Sequence, residues 1–124
     1  MTQLNLIIIG GSGFLSGTLA RQALASGHRV WVVTRGQRAM PSGVHALIAD
    51  RQDSAAFARA IEQAQTTWDA VVDCIAYKAD DVRQDIEVFA SRTSHLIYVS
   101  TDVVYDPVQR RLPQDEERAV YLSD

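Results

Sequence analysis

The sequence predicts an α/β fold: a doubly wound parallel sheet with strand order 3-2-1-4-5. Three observations predict it. Short apolar runs alternate along the chain with helical patterns, as in a parallel sheet with helices on both faces. The runs are nearly continuous in apolar residues, which suits strands covered on both sides. A glycine-rich stretch, "GGSGFLSG" from Gly10 to Gly17, joins the first run to the first helical pattern. Right-handed crossovers then fix the order of the strands.

The first strand is Leu4 to Ile9, with three consecutive isoleucines. Leu15, Leu19 and Ala23, with Ala20 and Leu24 beside them, form one helical face that Gly27 ends as a capping glycine. Val30 to Thr34 is the second strand, and residues 35–43 read as a loop on Gly36, Pro41 and Gly43. Val44 to Ala49 is a weaker third strand, so the second crossover lacks a helix of normal length. Asp53 or Ser54 caps a helix whose inner face is Phe57, Ala60, Ile61 and Ala64. Ala70 to Ile75 is the fourth strand, with Asp73 out of place among apolar residues. Asp80 and Asp81 favour a helix start through the macrodipole, and Val82, Ile86, Phe89 and Ala90 give that helix an apolar stripe. His95 to Ser100 is the fifth strand. The predicted domain is 1–106, and 107–124 is a polar tail, the start of a missing C-terminal part.

The 124 residues suffice for one domain with a real core, and 47% hydrophobic with 22% charged residues is ordinary for a globular protein. A net charge of −3 argues against a mainly electrostatic nucleic-acid binder. Cys74 stands alone, so no intrachain disulfide forms and a reducing, cytoplasmic setting is expected. The N-terminus reads as neither a signal peptide nor a membrane span. His28, His45 and His95 lack metal-ligand spacing, so no metal is expected. Trp31 and Trp68 read as packing residues, and Cys74 as a small core residue.

Gly10, Gly11 and Gly13, with Ser12 between them, provide a tight turn and room for a pyrophosphate at a helix N-terminus. A dinucleotide fingerprint would place its third glycine at 16, where Ser16 stands. Thr34 and Arg35 end the second strand, Arg38 follows, and no Asp or Glu lies between Gly27 and Asp50. Guanidinium groups suit a 2′-phosphate, which favours NADP over NAD; the alternative is that Arg35 and Arg38 are solvated loop residues. Asp50 can accept from an adenine amino group or cap a helix.

These residues carry a family resemblance. "IIIGGSGFLSGTLARQALASGHRVWVVTRG", "VVDCIAYK" (71–78) and "YVSTDVVYD" (98–106) resemble an extended or atypical short-chain dehydrogenase/reductase, more narrowly the NAD-dependent epimerase/dehydratase group, with a Rossmann-like fold. The resemblance implies that Gly10, Gly13, Phe14 and Leu15 hold the pyrophosphate and that Arg35 approaches the adenosine ribose. Asp50 and Arg51 would border adenine, while Cys74, Ile75, Ala76 and Tyr77 would pass the nicotinamide ribose. Ser100 and Thr101 would reach the reacting centre, with Thr101 as the catalytic hydroxyl that orients a sugar-like substrate. The Asp-Glu pair of sugar dehydratases is broken here, because Val103 follows Asp102. That leaves reduction or epimerisation.

The family's base is a tyrosine with a lysine four residues later. The only lysine, Lys78, follows Tyr77 directly; Gln109 stands four residues after Tyr105, and Tyr121 would need a lysine at 125. The expectation is therefore a cofactor domain truncated before its base and substrate domain, inactive alone. The alternative readings are a non-catalytic dinucleotide sensor or RNA-associated module, and a domain for another nucleotide. The resemblance also implies a homodimer, for which the 82–90 stripe is a candidate face, although a core-facing helix has the same pattern; no membrane partner is expected, since no span is read.

Overall fold

The computed structural model describes residues 2–100, 105–109, 112–113 and 115–121. Its elements follow the chain as β1 (Asn5–Ile9), α1 (Phe14–Ala25), β2 (Arg29–Thr34), β3 (His45–Ile48), α2 (Ser54–Gln63), β4 (Ala70–Asp73), α3 (Ala79–Phe89) and β5 (Leu96–Tyr98). The sheet runs β3-β2-β1-β4-β5, and every neighbouring pair is parallel. The predicted order is therefore the observed one.

Strand alternation divides the core in two. Ile7 and Ile9 of β1 join Trp31 and Val33 of β2 on one face, under Phe57 and Ile61 of α2 and Phe89 of α3. Ile8, Val30 and Val32 point to the opposite face, where Ala20 and Ala23 of α1 cover them. Met40 and Val44 pack against this second cluster, so the irregular β2–β3 crossover does part of a helix's work. On the first face Trp31, Trp68, Phe89 and Phe57 meet edge to face in sequence, with centroids 5.8–6.3 Å apart. Asp53 caps α2 by accepting from the Ala56 N–H at 3.0 Å.

One helix face differs from expectation. The buried residues of α3 are Asp81, Asp85 and Phe89, while Val82 is half-buried and Ile86 and Ala90 are exposed. Two carboxyls, outside the expected apolar stripe, are buried because a buried cation meets them, as described below. β3 and β5 are also shorter than predicted. Both are edge strands, and Ile48 and Ile97 are exposed. In the tail, Tyr105 and Tyr121 form an antiparallel bridge.

Candidate functional site

The C-terminal ends of β1, β2 and β4 open onto a crevice with a cavity volume of about 580 Å³, within the range of small-molecule sites. In an open parallel sheet this is where ligands bind, at the switch point where the strand order reverses. Gly10, Ser12, Gly13, Phe14 and Leu15 line one part, Thr34, Arg35, Arg38 and Asp50 a second, and Cys74, Ile75 and Tyr77 a third.

The turn from β1 into α1 is held from within. The Gly10 N–H donates to the Val33 carbonyl at 2.9 Å. Ser16, in the place of the fingerprint's third glycine, is buried, and its Oγ accepts from the Gly13 N–H at 3.2 Å. Its hydroxymethyl thus serves as a local cap. The N–H groups of Phe14 and Leu15 open the helix without a partner among the described residues, the arrangement that receives an anion. Gly11 faces the other way. It does not line the crevice but presses on Val32 of β2.

Thr34 is buried, and its Oγ1 accepts from the Gly36 N–H at 3.3 Å, which shapes the bend after β2. Arg35 and Arg38 are exposed on the crevice wall and form no ion pair among the described residues. Asp50 is exposed, with Oδ1 accepting from the Gln52 N–H at 2.9 Å. Cys74 is half-buried, and burial, then the neighbouring Asp73, pushes its thiol pKa up. A raised thiol pKa opposes a nucleophilic role. Ala76 and Ser100 do not line the crevice, and Ser100 is exposed. Thr101 lies outside the described residues.

Arg51 also lines the crevice, yet its guanidinium is committed elsewhere. Nη1 donates to Asp73 Oδ2, and Nη2 to Asp85 Oδ1 at 3.0 Å and to the Asp81 carbonyl at 2.9 Å. Nε lies 3.6 Å from Asp81 Oδ1, and the guanidinium stands over the Phe57 ring at 5.7 Å. This answers the anomaly of Asp73: a carboxylate in an apolar strand needs a partner, and Arg51 supplies it. Asp81, Asp85 and Tyr98 were not legible as its companions. The one available signal was Asp73 itself.

Three carboxyls around one guanidinium leave an excess of acid. Burial, then the adjacent Asp73, raises the Asp85 pKa to about 8, against the pull of Arg51. Burial and the nearby Asp85 push the Tyr98 phenol to about 12. Burial also penalises ionised Asp81, but the Tyr77 and Lys78 N–H groups and Arg51 outweigh it and lower its pKa.

A pH dependence follows. Folded Asp85 keeps its proton up to about pH 8, whereas the unfolded carboxyl releases it near 3.8. The folded state therefore binds more protons through that window, and the group's contribution to stability is lost as pH rises through it. Asp85→Asn, which keeps the shape of the neutral acid, removes the effect. Relative to wild type, the variant should gain on the order of 1–3 kcal/mol between about pH 5 and pH 8 and level off above, as read by urea unfolding at each pH. A difference constant with pH would refute this.

The model of the NAD dependent epimerase/dehydratase family matches residues 6–122. The chain belongs to that family. Solved structures of epimerase/dehydratase proteins share its fold. A protein assigned to the NAD-dependent epimerases/dehydratases from Methylobacillus flagellatus is 27% identical with a TM-score of 0.70, covering 84% of this chain and 39% of its own. A UDP-glucose 4-epimerase is 19% identical with a TM-score of 0.68, covering 82% of this chain and 36% of its own. WbmG from Bordetella bronchiseptica, solved with NAD, is 16% identical with a TM-score of 0.67, covering 83% of this chain and 39% of its own. This epimerase/dehydratase-family chain thus spans about two-fifths of the length of these proteins. No curated protein sequence matches it significantly. No described helix is long and apolar enough to cross a membrane, and no cluster of metal-binding side chains occurs among the described residues.

Proposed function

We propose that this chain is the dinucleotide-binding part of a NAD(P)-dependent epimerase or reductase acting on a sugar-like substrate, with NADP preferred. The observation that carries the reading is the crevice itself: an open helix N-terminus at one wall, Arg35 and Arg38 without an ion pair among the described residues at another, and family membership over residues 6–122. In this reading the Phe14 and Leu15 N–H groups hold the pyrophosphate, with Gly10, Ser12 and Gly13 leaving room for it. Arg35 and Arg38 take the 2′-phosphate, a match of charge and fork geometry. Asp50 borders adenine, and the Cys74–Tyr77 segment borders the nicotinamide ribose. The dinucleotide, when bound, supplies hydride transfer. Thr101 orients the substrate hydroxyl.

Turnover by these 124 residues alone is not part of the proposal. Tyr77, Tyr98 and Tyr105 are followed four residues later by Asp81, Asp102 and Gln109 rather than lysine. Tyr98 is moreover shifted up to about 12, away from what a base at neutral pH requires. Calorimetric titration tests the reading: NADPH should bind about tenfold more tightly than NADH, and Arg35→Ala with Arg38→Ala should erase the preference. No binding of either at about millimolar concentration would sink the proposal, and tighter NADH binding would sink the NADP preference.

A further inference from the structure

Side chains of one buried cluster hold the crevice wall that follows β4. Asp73 Oδ1 accepts from the Ile75 N–H at 2.8 Å. Asp81 Oδ2 accepts from the Tyr77 N–H at 2.9 Å and the Lys78 N–H at 3.1 Å. Three of the five N–H groups from Cys74 to Lys78 are therefore fixed by two carboxylates. The Cys74 N–H is held by the Ile9 carbonyl at 3.1 Å. Both carboxylates converge on Arg51, which arrives from the opposite wall, directly after Asp50. Asp85 binds the same guanidinium from α3, and Gln84 Nε2 donates to the Arg51 carbonyl at 3.0 Å, pinning its backbone. The two walls of the crevice are thus tied through one buried side chain, Arg51.

We infer that Arg51 is a positioning residue: through Asp73 and Asp81 it fixes the backbone of residues 74–78 and so sets affinity for the nicotinamide half of a dinucleotide, without itself touching adenine. The inference rests on the proposed cofactor. A direct adenine contact and a tie between walls predict different losses. A contact weakens the adenosine half and the whole molecule alike; a tie weakens only the whole. A wall held by charged hydrogen bonds also keeps its N–H groups out of exchange with solvent.

The test uses the 124-residue protein and the variants Arg51→Met and Asp81→Ala. The second leaves the buried Arg51–Asp73 and Arg51–Asp85 contacts in place and removes both the acceptor of the Tyr77 and Lys78 N–H groups and its ion pair with Arg51 Nε, so it keeps the test of the wall's tie open if the first does not fold. Binding is measured for NADPH and for its adenosine half, 2′,5′-ADP. Both variants should bind NADPH about tenfold more weakly, with 2′,5′-ADP unchanged within about twofold. Hydrogen exchange without ligand should show the Tyr77 and Lys78 amides exchanging at least about tenfold faster in each. Equal losses for NADPH and 2′,5′-ADP would show that Arg51 meets adenine and overturn the inference, as would unchanged exchange in a folded variant. If wild type binds neither ligand, the cofactor reading falls, while the exchange rates still decide whether Arg51 holds the wall.

Discussion

Asp73→Ala should cost about 3–5 kcal/mol of stability, read as a loss of urea midpoint at an unchanged slope. The figure is that of a buried ion pair losing one member. Asp73 is 1% exposed and Arg51 6% exposed, so the guanidinium cannot recover water when its main partner leaves. Asp85 is also buried, so its burial still opposes the ionised form that would have to replace Asp73. The substitution also frees the Ile75 N–H. A control comes from the same helix that supplies Asp81. Asp80 pairs with Arg83 where both side chains are largely exposed, and Asp80→Ala should cost at most about 1 kcal/mol. Similar losses for the two variants would mean that burial is not what makes the Arg51 cluster costly to break.

Gly11→Ala should cost about 2–5 kcal/mol, from two separable sources. Its φ of +78° is left-handed, and an added Cβ would sit 2.1 Å from Val32 Cγ1. Val32 is fully buried in β2 and cannot retreat, so the turn or the strand must move. Gly27 isolates the first source: its φ is +87°, and nothing lies within 4 Å of an added Cβ. Gly27→Ala should therefore cost only about 1 kcal/mol. Because the turn after β1 carries the N–H groups proposed to hold the pyrophosphate, Gly11→Ala should weaken dinucleotide binding as well, although Gly11 does not line the crevice. Equal stability losses at the two positions, measured by urea unfolding, would remove the collision from the account.

The sheet order was legible because parallel strands announce themselves as continuous apolar runs, and Leu6-Ile7-Ile8-Ile9 and Val30-Trp31-Val32-Val33 are hard to read otherwise. The crevice was legible in outline for the same reason: the glycine turn fixes one wall, and the ends of β2 and β4 follow from the topology. The orientation of α3 was not. Hydrophobic periodicity sorts residues by side-chain type, and it sends Asp81 and Asp85 to solvent. They are buried because Arg51, at least 30 residues earlier in the chain, meets them, and no local pattern encodes that pairing. Gly11 was read as part of the phosphate turn. Its actual neighbour, Val32, lies 21 positions away on another strand.

The division of the core has an optical consequence. Both tryptophans and the two core phenylalanines belong to the layer under α2 and α3; among the described residues, the layer under α1 contains no aromatic side chain. Tryptophan fluorescence therefore follows one half of the protein. Loosening of α1, the helix whose N-terminus faces the crevice, would pass without a signal from either tryptophan. Cys74 packs against that silent layer and is the chain's only thiol. Its rate of reaction with a disulfide reagent is the natural gauge of the half that the tryptophans do not report.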